Sequence, residues 1–339
     1  MTILDSELRA YYPATISDAS ANGGRISFNQ ITSAALQNVF PHVFRAERVA
    51  GSTKHRKLFF RNINDADETL FAPSVRLHAP TPGDDYVYFR VGSQRNTQGD
   101  LTGSERKYGA GVLKTTVTAG GSTLVVYVEH ADLTGIFVNG DKIRITDKAT
   151  PTSVTGSEEE LTISGAPSVS GTEVTITVAE TLTNGYTGGT LAAPITYVQS
   201  LYYPSADLVA TVDNWVETSS AGTYDETTYP AIPDHIGTAE QTWTLTFSDA
   251  TNFTVVGDTI GSVGSGTIGS DFAPTNSAVS KPYFTLESAG WGGTWANGET
   301  IVFQTHPPAI PIWETRVVPA GAGSMAGNGI TAVLEGETA

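Results

Sequence analysis

The feature that most constrains the fold is a pattern that occurs twice in the chain without a gap. Each copy contains a strand, an irregular link, an aromatic anchor, an Asn-Gly turn followed by an acid, and a second strand. The first copy spans residues 128–145 and turns at Asn139-Gly140, and the second spans residues 286–303 and turns at Asn297-Gly298. Asn-Gly supplies the positive φ of a tight hairpin turn. The repeat therefore predicts a β-folding unit that is used twice.

Composition favours short strands joined by turns. Only 16% of the residues are charged, and glycine alone contributes 35 residues. Long helices need runs rich in Ala, Leu, Glu, Lys and Arg, and few such runs occur here. A chain of 339 residues is also longer than a domain with a single hydrophobic core usually is. We therefore predict an all-β protein that is built from several modules.

The order of strands and turns predicts a discontinuous β-sandwich with two inserted modules, each a small β-barrel or sandwich. Residues 310–319 form a well-patterned strand that has no local partner, so we expect this segment to close the sandwich. The predicted parts are an extended N-terminal arm (1–40), the sandwich (41–112 plus 307–339), a first inserted module (113–200), a connection (201–237) and a second inserted module (238–306).

The chain contains no cysteine. This excludes disulfide scaffolds, thiolate metal sites and thiol nucleophiles. No apolar run approaches the roughly 18 residues that a membrane-spanning helix needs, and the N-terminus lacks the pattern of a signal peptide. We expect a protein that has no membrane partner and is made and assembled in a cytoplasm.

Charge is divided unevenly along the chain. The first 110 residues carry 13 of the 19 lysines and arginines, and the remainder carries 24 of the 35 acidic residues. Six of the cations lie close together: Arg45, Arg48, Lys54, Arg56, Lys57 and Arg61. We expect this basic stretch to lie at a subunit interface, against the acidic part of a neighbouring copy. Contact with nucleic-acid phosphates and a plain solvated face are the alternatives, and the net charge of −16 disfavours nucleic acid.

No pattern in the sequence indicates catalytic chemistry. The six histidines are scattered, and no Ser-centred Gly-x-Ser-x-Gly motif occurs. Residues 64–68 concentrate oxygen ligands that suit calcium, but they lack the glycine and the distal glutamate of a calcium loop, so an acidic turn is favoured. Residues 261–266 resemble a phosphate loop only superficially, because such a loop needs a following helix and usually a Lys-Ser/Thr pair, and the next lysine is Lys281. We therefore expect no enzymatic activity, no cofactor and no metal.

Trp291 and Trp295 flank a glycine pair and offer a platform on which a sugar could stack. Phe137 occupies in the first copy of the repeat the place of Trp295 in the second, which favours a structural role for Trp295. Trp291 stays available for another role. A bound glycan is therefore kept as an alternative.

Several segments carry a resemblance to a known family: residues 22–25, 43–48, 51–53, 56–59, 64–70 and 310–313. Through them the chain resembles, over nearly its whole length, a family of virion proteins of tailed bacteriophages and prophages, some of them Mu-like. The resemblance implies a non-enzymatic structural subunit that resides in the virion and is assembled in the host cytoplasm.

The resemblance implies a virion protein, but it implies no particular position in the particle. We expect a tail or baseplate component that assembles as a symmetric oligomer with copies of itself and other virion proteins. A capsid decoration or head-fibre protein is the second hypothesis. A host-surface adhesin that binds glycans through the inserted modules is the third.

Overall fold

A computed structural model describes residues 2–339. Strands contain 44% of the residues and helices 6%, which confirms the prediction of an all-β protein. The α-helix in the described residues, α1 (Arg45–Ala50), is short, and four 3₁₀ turns accompany it: Asp5–Glu7, Gln98–Asp100, Ala131–Ile136 and Ser288–Gly290.

The strands of the first two thirds of the chain are β1 (Leu8–Thr15), β2 (Gly23–Gln30), β3 (Ser52–Asn62), β4 (Phe71–Leu77), β5 (Tyr86–Val91), β6 (Lys107–Tyr108), β7 (Ala110–Leu113), β8 (Thr123–Tyr127), β9 (Lys142–Thr146), β10 (Glu158–Thr162), β11 (Ser168–Ser170), β12 (Glu173–Thr177) and β13 (Tyr197–Ser200). The remaining strands are β14 (Thr211–Thr218), β15 (Gly222–Tyr224), β16 (Ile232–Pro233), β17 (Gln241–Phe247), β18 (Asn252–Gly257), β19 (Gly261–Thr267), β20 (Thr275–Asn276), β21 (Lys281–Pro282), β22 (Phe284–Thr285), β23 (Trp291–Gly293), β24 (Thr300–His306), β25 (Ala309–Val318) and β26 (Ala332–Glu337).

The sandwich is closed by the C-terminal segment. Its larger sheet has the strand order β2-β1-β3-β25-β5-β6, and β25 pairs antiparallel with β3 on one side and with β5 on the other. Ile310 and Ile312 of β25 are buried in one core with Leu58 and Phe89. The second layer consists of β4 and β26, so it covers the six-stranded sheet only in part.

The prediction of an extended N-terminal arm over residues 1–40 is wrong for the part that forms β1 and β2. Strand β1 pairs with β3, and β2 pairs with β1. Tyr11 and Ile26 are buried together with Phe59 on one face of the sheet. These two strands therefore bury their apolar side chains on their own chain and need no neighbour to order them.

The first inserted module is one curved sheet with the order β10-β9-β13-β7-β8-β12-β11. Within residues 2–339 no sheet closes into a barrel. In the sheet of the first module, an isolated bridge joins Ile163, next to β10, to Val178, next to β12. Tyr86 and Tyr88 of β5 belong to the same core as the apolar residues of the module. The first module and the sandwich thus share a core.

The second inserted module begins earlier than the sequence predicts. Its main sheet has the order β14-β24-β17-β18-β19, so β14 belongs to the module and not to the predicted connection 201–237. Trp215 of β14 stacks on Phe303 of β24 with a centroid distance of 5.0 Å. Tyr224, also from the predicted connection, is buried in the same core. The boundary at residue 238 is therefore corrected to the start of β14.

The two Asn-Gly turns of the repeat have the same geometry. Gly140 and Gly298 both have φ of 87°. Asp141 and Glu299 each donate their backbone N–H to the carbonyl three residues earlier at 3.1 Å, and each carboxylate accepts the N–H of that same residue. Only the glycine of each turn has a positive φ, which is the pattern of a type II turn. The first turn lies between a 3₁₀ turn and β9, and the second lies between β23 and β24, which do not pair with each other, so neither is the predicted hairpin.

Replacing Gly140 or Gly298 by Val is expected to lower the free energy of unfolding by about 1–3 kcal/mol, because a β-branched residue is strained at this φ. No atom lies within 4 Å of a Cβ built at either position, so a steric clash adds nothing. Urea unfolding of the full chain measures the effect. Gly140→Asn is the matched control and should cost less, since asparagine tolerates the left-handed region. A valine variant as stable as the parent would contradict the shared geometry.

Candidate functional site

The structure places half of the predicted basic interface inside the protein. Arg56, Lys57 and Arg61 are 7%, 1% and 1% exposed. They lie on β3, a strand with a neighbour on each side and covered faces. The expectation that these three residues face a neighbouring subunit is therefore wrong.

Lys57 is held by backbone carbonyls. Its ammonium group donates to the carbonyl oxygens of Gly24 at 2.6 Å and Asn96 at 2.8 Å. The rings of Phe59 and Trp313 lie 4.9 and 5.9 Å from Nζ. Burial lowers the pKa of Lys57 to about 7, because the charged form loses its hydration. Its position ties β2 and the loop after β5 to the centre of the sheet.

Arg61 joins the sandwich to the second module. Its guanidinium donates to the carbonyl oxygens of His235 at 2.7 Å, Ile236 at 2.9 Å and Thr238 at 3.0 Å. The rings of Tyr11 and Phe28 lie 5.7 and 5.4 Å from its Cζ. The planar fork of arginine suits several carbonyls of one loop, which a lysine could not reach together.

The other three residues of the basic stretch lie at the surface around α1. Lys54 is paired with Asp18 at 3.0 Å and with Glu47 at 3.1 Å. Arg45 is exposed and Arg48 is half-buried. Their place at a subunit interface stays a prediction.

Acidic residues of the second module meet cations of the first third of the same chain. Asp258 is paired with Arg25, and Glu240 with Arg95. Lys281 forms the reverse pair with Asp65. The charge division seen in the sequence is thus matched in part within one chain, between its own modules.

His306 extends this junction. Nδ1 lies 2.7 Å from a carboxylate oxygen of Glu240, and Nε2 lies 3.1 Å from Asp213. Glu240 is 2% exposed. The hydrogen bond to Glu240 raises the pKa of His306, and Asp213 adds to the effect. In its protonated form the imidazole donates to both acids, and Glu240 also pairs with Arg95.

We expect His306→Gln to lower the free energy of unfolding more in mild acid than in mild base. The raised pKa of His306 means that its stabilising contribution is complete below the unfolded value of about 6.5. That contribution is lost as the pH rises through the folded pKa. Urea unfolding at about pH 5.5 and about pH 8.5 measures the difference. His42→Gln, on the exposed loop before α1, is the control, and an equal loss at both pH values would refute the bridge.

The remaining motifs have structural roles. The side-chain oxygen of Asn64 accepts the N–H groups of Ala66 and Glu68, so it closes its own turn. Residues 261–266 belong to β19, an edge strand, and not to a loop. Among the described residues no group of three or more His, Cys, Asp or Glu side chains is placed to hold a metal ion.

Two tryptophans flank the glycine pair. Trp295 lies in the core of the second module, and Trp291 is partly buried and packs against that core. Trp295 is 2% exposed and stacks on Phe247 at 4.1 Å, and Trp291 packs edge-on against Tyr224 at 4.7 Å. Another indole is better placed for a ligand. Trp215 lines a surface cleft of about 410 Å³ together with Asp213 and Glu226, and neither the size nor the site of this cleft is visible in the sequence.

No protein-family model matches the chain, and no curated protein matches it significantly. In residues 2–339, no helix has both the length and the apolar character required to cross a membrane.

Proposed function

We propose that this protein is a non-enzymatic structural subunit of a tailed-phage virion, in the tail or baseplate, and that it assembles as a symmetric oligomer. The observation that supports assembly is an exposed surface, the α1 patch, formed by Phe44, Arg45 and Val49. Phe44 and Val49 are each 64% exposed. Two large apolar side chains beside a free cation are typical of a contact with another protein.

The way the modules are connected supports a role in transmitting force between neighbouring subunits. The first module leaves the sandwich after β6, the chain then bridges at Tyr202 and Leu208 to β4 and the residue before it on its way to the second module, and the second module returns through β25. Each module is therefore attached to the sandwich at both of its ends. Arg61 and the ion pairs of Arg25 and Arg95 fasten the second module further. A subunit that transmits force between neighbours needs modules fixed in this way.

The first test is the mass of the purified full chain by light scattering, with negative-stain images for symmetry. A tail component is expected to form three- or six-fold rings. Phe44→Ser with Val49→Ser should reduce the mass while leaving the thermal midpoint unchanged, and Val154→Ser, at a fully exposed apolar position elsewhere, is the matched control. A chain that stays monomeric at every concentration would contradict assembly through the α1 patch.

The second test locates the protein. An antiserum against the purified chain, applied to phage particles from the host of origin, should label the tail or baseplate in electron micrographs. Label distributed over the capsid would favour the decoration or head-fibre hypothesis. Unlabelled intact and disrupted particles would refute a virion role.

The cleft beside Trp215 favours one second candidate, a glycan-binding adhesin. An indole face with nearby carboxylates is a common way to hold a sugar ring. A glycan array probed with the full chain tests it, and Trp215→Ala should abolish any signal. Binding that survives this change would place the sugar elsewhere.

A further inference from the structure

A long groove runs over the six-stranded sheet where the second layer of the sandwich is missing. One wall is the segment 30–43, and the other is the C-terminal segment 322–335. The groove has a volume of about 1760 Å³, and its floor includes the apolar side chains of Leu58, Phe60 and Val87. It exists because two strands, β4 and β26, cover a sheet of six.

Two ionisable side chains on the floor of this groove, Glu314 and Arg316, leave part of their hydrogen-bonding capacity unused, although the ring of Phe40 lies 4.9 Å from the guanidinium of Arg316. Arg316 is 8% exposed, and its Nη1 donates to the carbonyl of Pro41 at 3.0 Å. Its Nε and Nη2 have no acceptor among the described residues. Glu314, two positions earlier on the same strand, is 3% exposed and lines the same groove. Burial raises the pKa of Glu314 to about 7, because the ionised carboxylate loses its hydration, and no ion pair or hydrogen bond within residues 2–339 offsets this loss.

Such an arrangement is costly in the protein alone. A buried charge normally has a partner, because desolvation is otherwise uncompensated. The Nε and Nη2 groups of one guanidinium form the edge that binds a carboxylate through two parallel hydrogen bonds. The floor is therefore complementary to an acid and a base that lie side by side.

The rim of the groove offers a free strand edge. Strand β26 pairs with β4 alone. The carbonyl of Thr331 accepts the N–H of His78, the residue that follows β4, at 2.8 Å. Because hydrogen bonds of an antiparallel pair alternate along a strand, the backbone N–H and C=O groups of Ala332 and Leu334 point away from β4. Both residues line the groove.

We propose that the groove binds an extended polypeptide segment that adds as a strand to the free edge of β26 and carries an acidic and a basic side chain two residues apart. The acid meets Arg316 and the base meets Glu314. Residues two apart in a strand point to one face at a spacing of about 6.6 Å, which matches the spacing of Glu314 and Arg316 on β25. In one known mode of peptide recognition, the peptide backbone forms hydrogen bonds to the edge of a sheet and its side chains provide the specificity. The proposal does not depend on a virion role.

The test uses three fluorescent heptapeptides and the full chain, with anisotropy as the readout. The first probe is Ile-Thr-Asp-Thr-Lys-Thr-Ile, the second exchanges Asp and Lys, and the third replaces them by Asn and Gln. One charged probe should bind at least about tenfold more tightly than both others, since ion pairs inside a groove discriminate in this range. If the neutral probe binds as tightly as the charged ones, the groove takes an apolar occupant and the proposal is overturned. The proposal is also overturned if none of the three probes binds.

Three variants locate the binding. Arg316→Gln and Glu314→Gln should each reduce the preferred probe to the affinity of the neutral one, and Arg45→Gln, outside the groove, should leave it unchanged. Ala332→Pro removes an N–H of the free edge without removing a bond to β4, so binding should fall while the thermal midpoint is kept. If Arg316 served the fold alone, Arg316→Gln would lower the midpoint. A raised or unchanged midpoint together with lost binding supports the proposal, and unchanged binding in Arg316→Gln or Ala332→Pro overturns it.

Discussion

A chain truncated after Pro308 is expected to lose its cooperative thermal transition. The truncation removes β25, the strand that lies between β3 and β5. Ile310, Ile312 and Trp313 on this strand are at most 5% exposed. Burial of each such side chain contributes about 1.5–3 kcal/mol or more, and a domain has a net stability of only about 5–15 kcal/mol. The removed strand therefore carries a large share of the whole stability.

Near-ultraviolet circular dichroism during heating measures this result. A chain truncated after Pro319 is the matched control, because it keeps β25 and loses β26. This control should still melt cooperatively, at a lower temperature. A cooperative transition in the shorter chain would mean that the sandwich does not need its C-terminal strand.

Replacing Arg61 by Met is expected to lower the free energy of unfolding by about 3–5 kcal/mol. Three carbonyl oxygens of the second module lose a charged donor, and each buried unsatisfied group costs about 1–3 kcal/mol. Relief of the desolvation of the cation offsets part of this loss, since burial lowers the pKa of Arg61 to about 10. The junction between the sandwich and the second module should be the first part to open.

Urea unfolding gives the total effect, and hydrogen exchange of the loop 235–238 shows where the opening begins. Arg61→Lys should have an intermediate effect, because one ammonium group cannot reach all three carbonyls. Arg45→Met, from the same basic stretch but exposed, should change the stability by no more than about 0.5 kcal/mol. Similar effects at positions 45 and 61 would refute the fastening role.

Local chemistry was predictable wherever neighbours in sequence decide the structure. The Asn-Gly-acid pattern predicts two equivalent turns because the glycine φ and the acid that caps the turn depend on four adjacent residues. The alternation in residues 310–319 predicts a strand without a local partner, and the structure confirms it as β25. The prediction that the Asn-Gly turns close hairpins was nevertheless wrong, because the role of a turn also depends on the element that precedes it.

Membership of the sheets was predictable only in part. The first thirty residues resemble a disordered arm in composition, yet they form β1 and β2 because β3 presents an edge and an apolar face to them. Strand β14 lies in the predicted connection 201–237, and its partner β24, which places it in the second module, is distant in sequence. Strands β1 and β14 each pair with a strand more than 40 residues away, which no local pattern reveals.

By itself, the sequence determined that the protein is all-β, that its modules are inserted and that one turn unit occurs twice, because each of these follows from composition, alternation and short-range turn chemistry. Only the tertiary structure decided that Arg56, Lys57 and Arg61 are internal, and that Glu314 and Arg316 share a groove. A run of cations indicates a surface until distant segments bring carbonyls to it, as residues 24, 96 and 235–238 do here. The environment of a charge depends on the packing of segments that are distant in sequence, and local sequence patterns do not predict that packing.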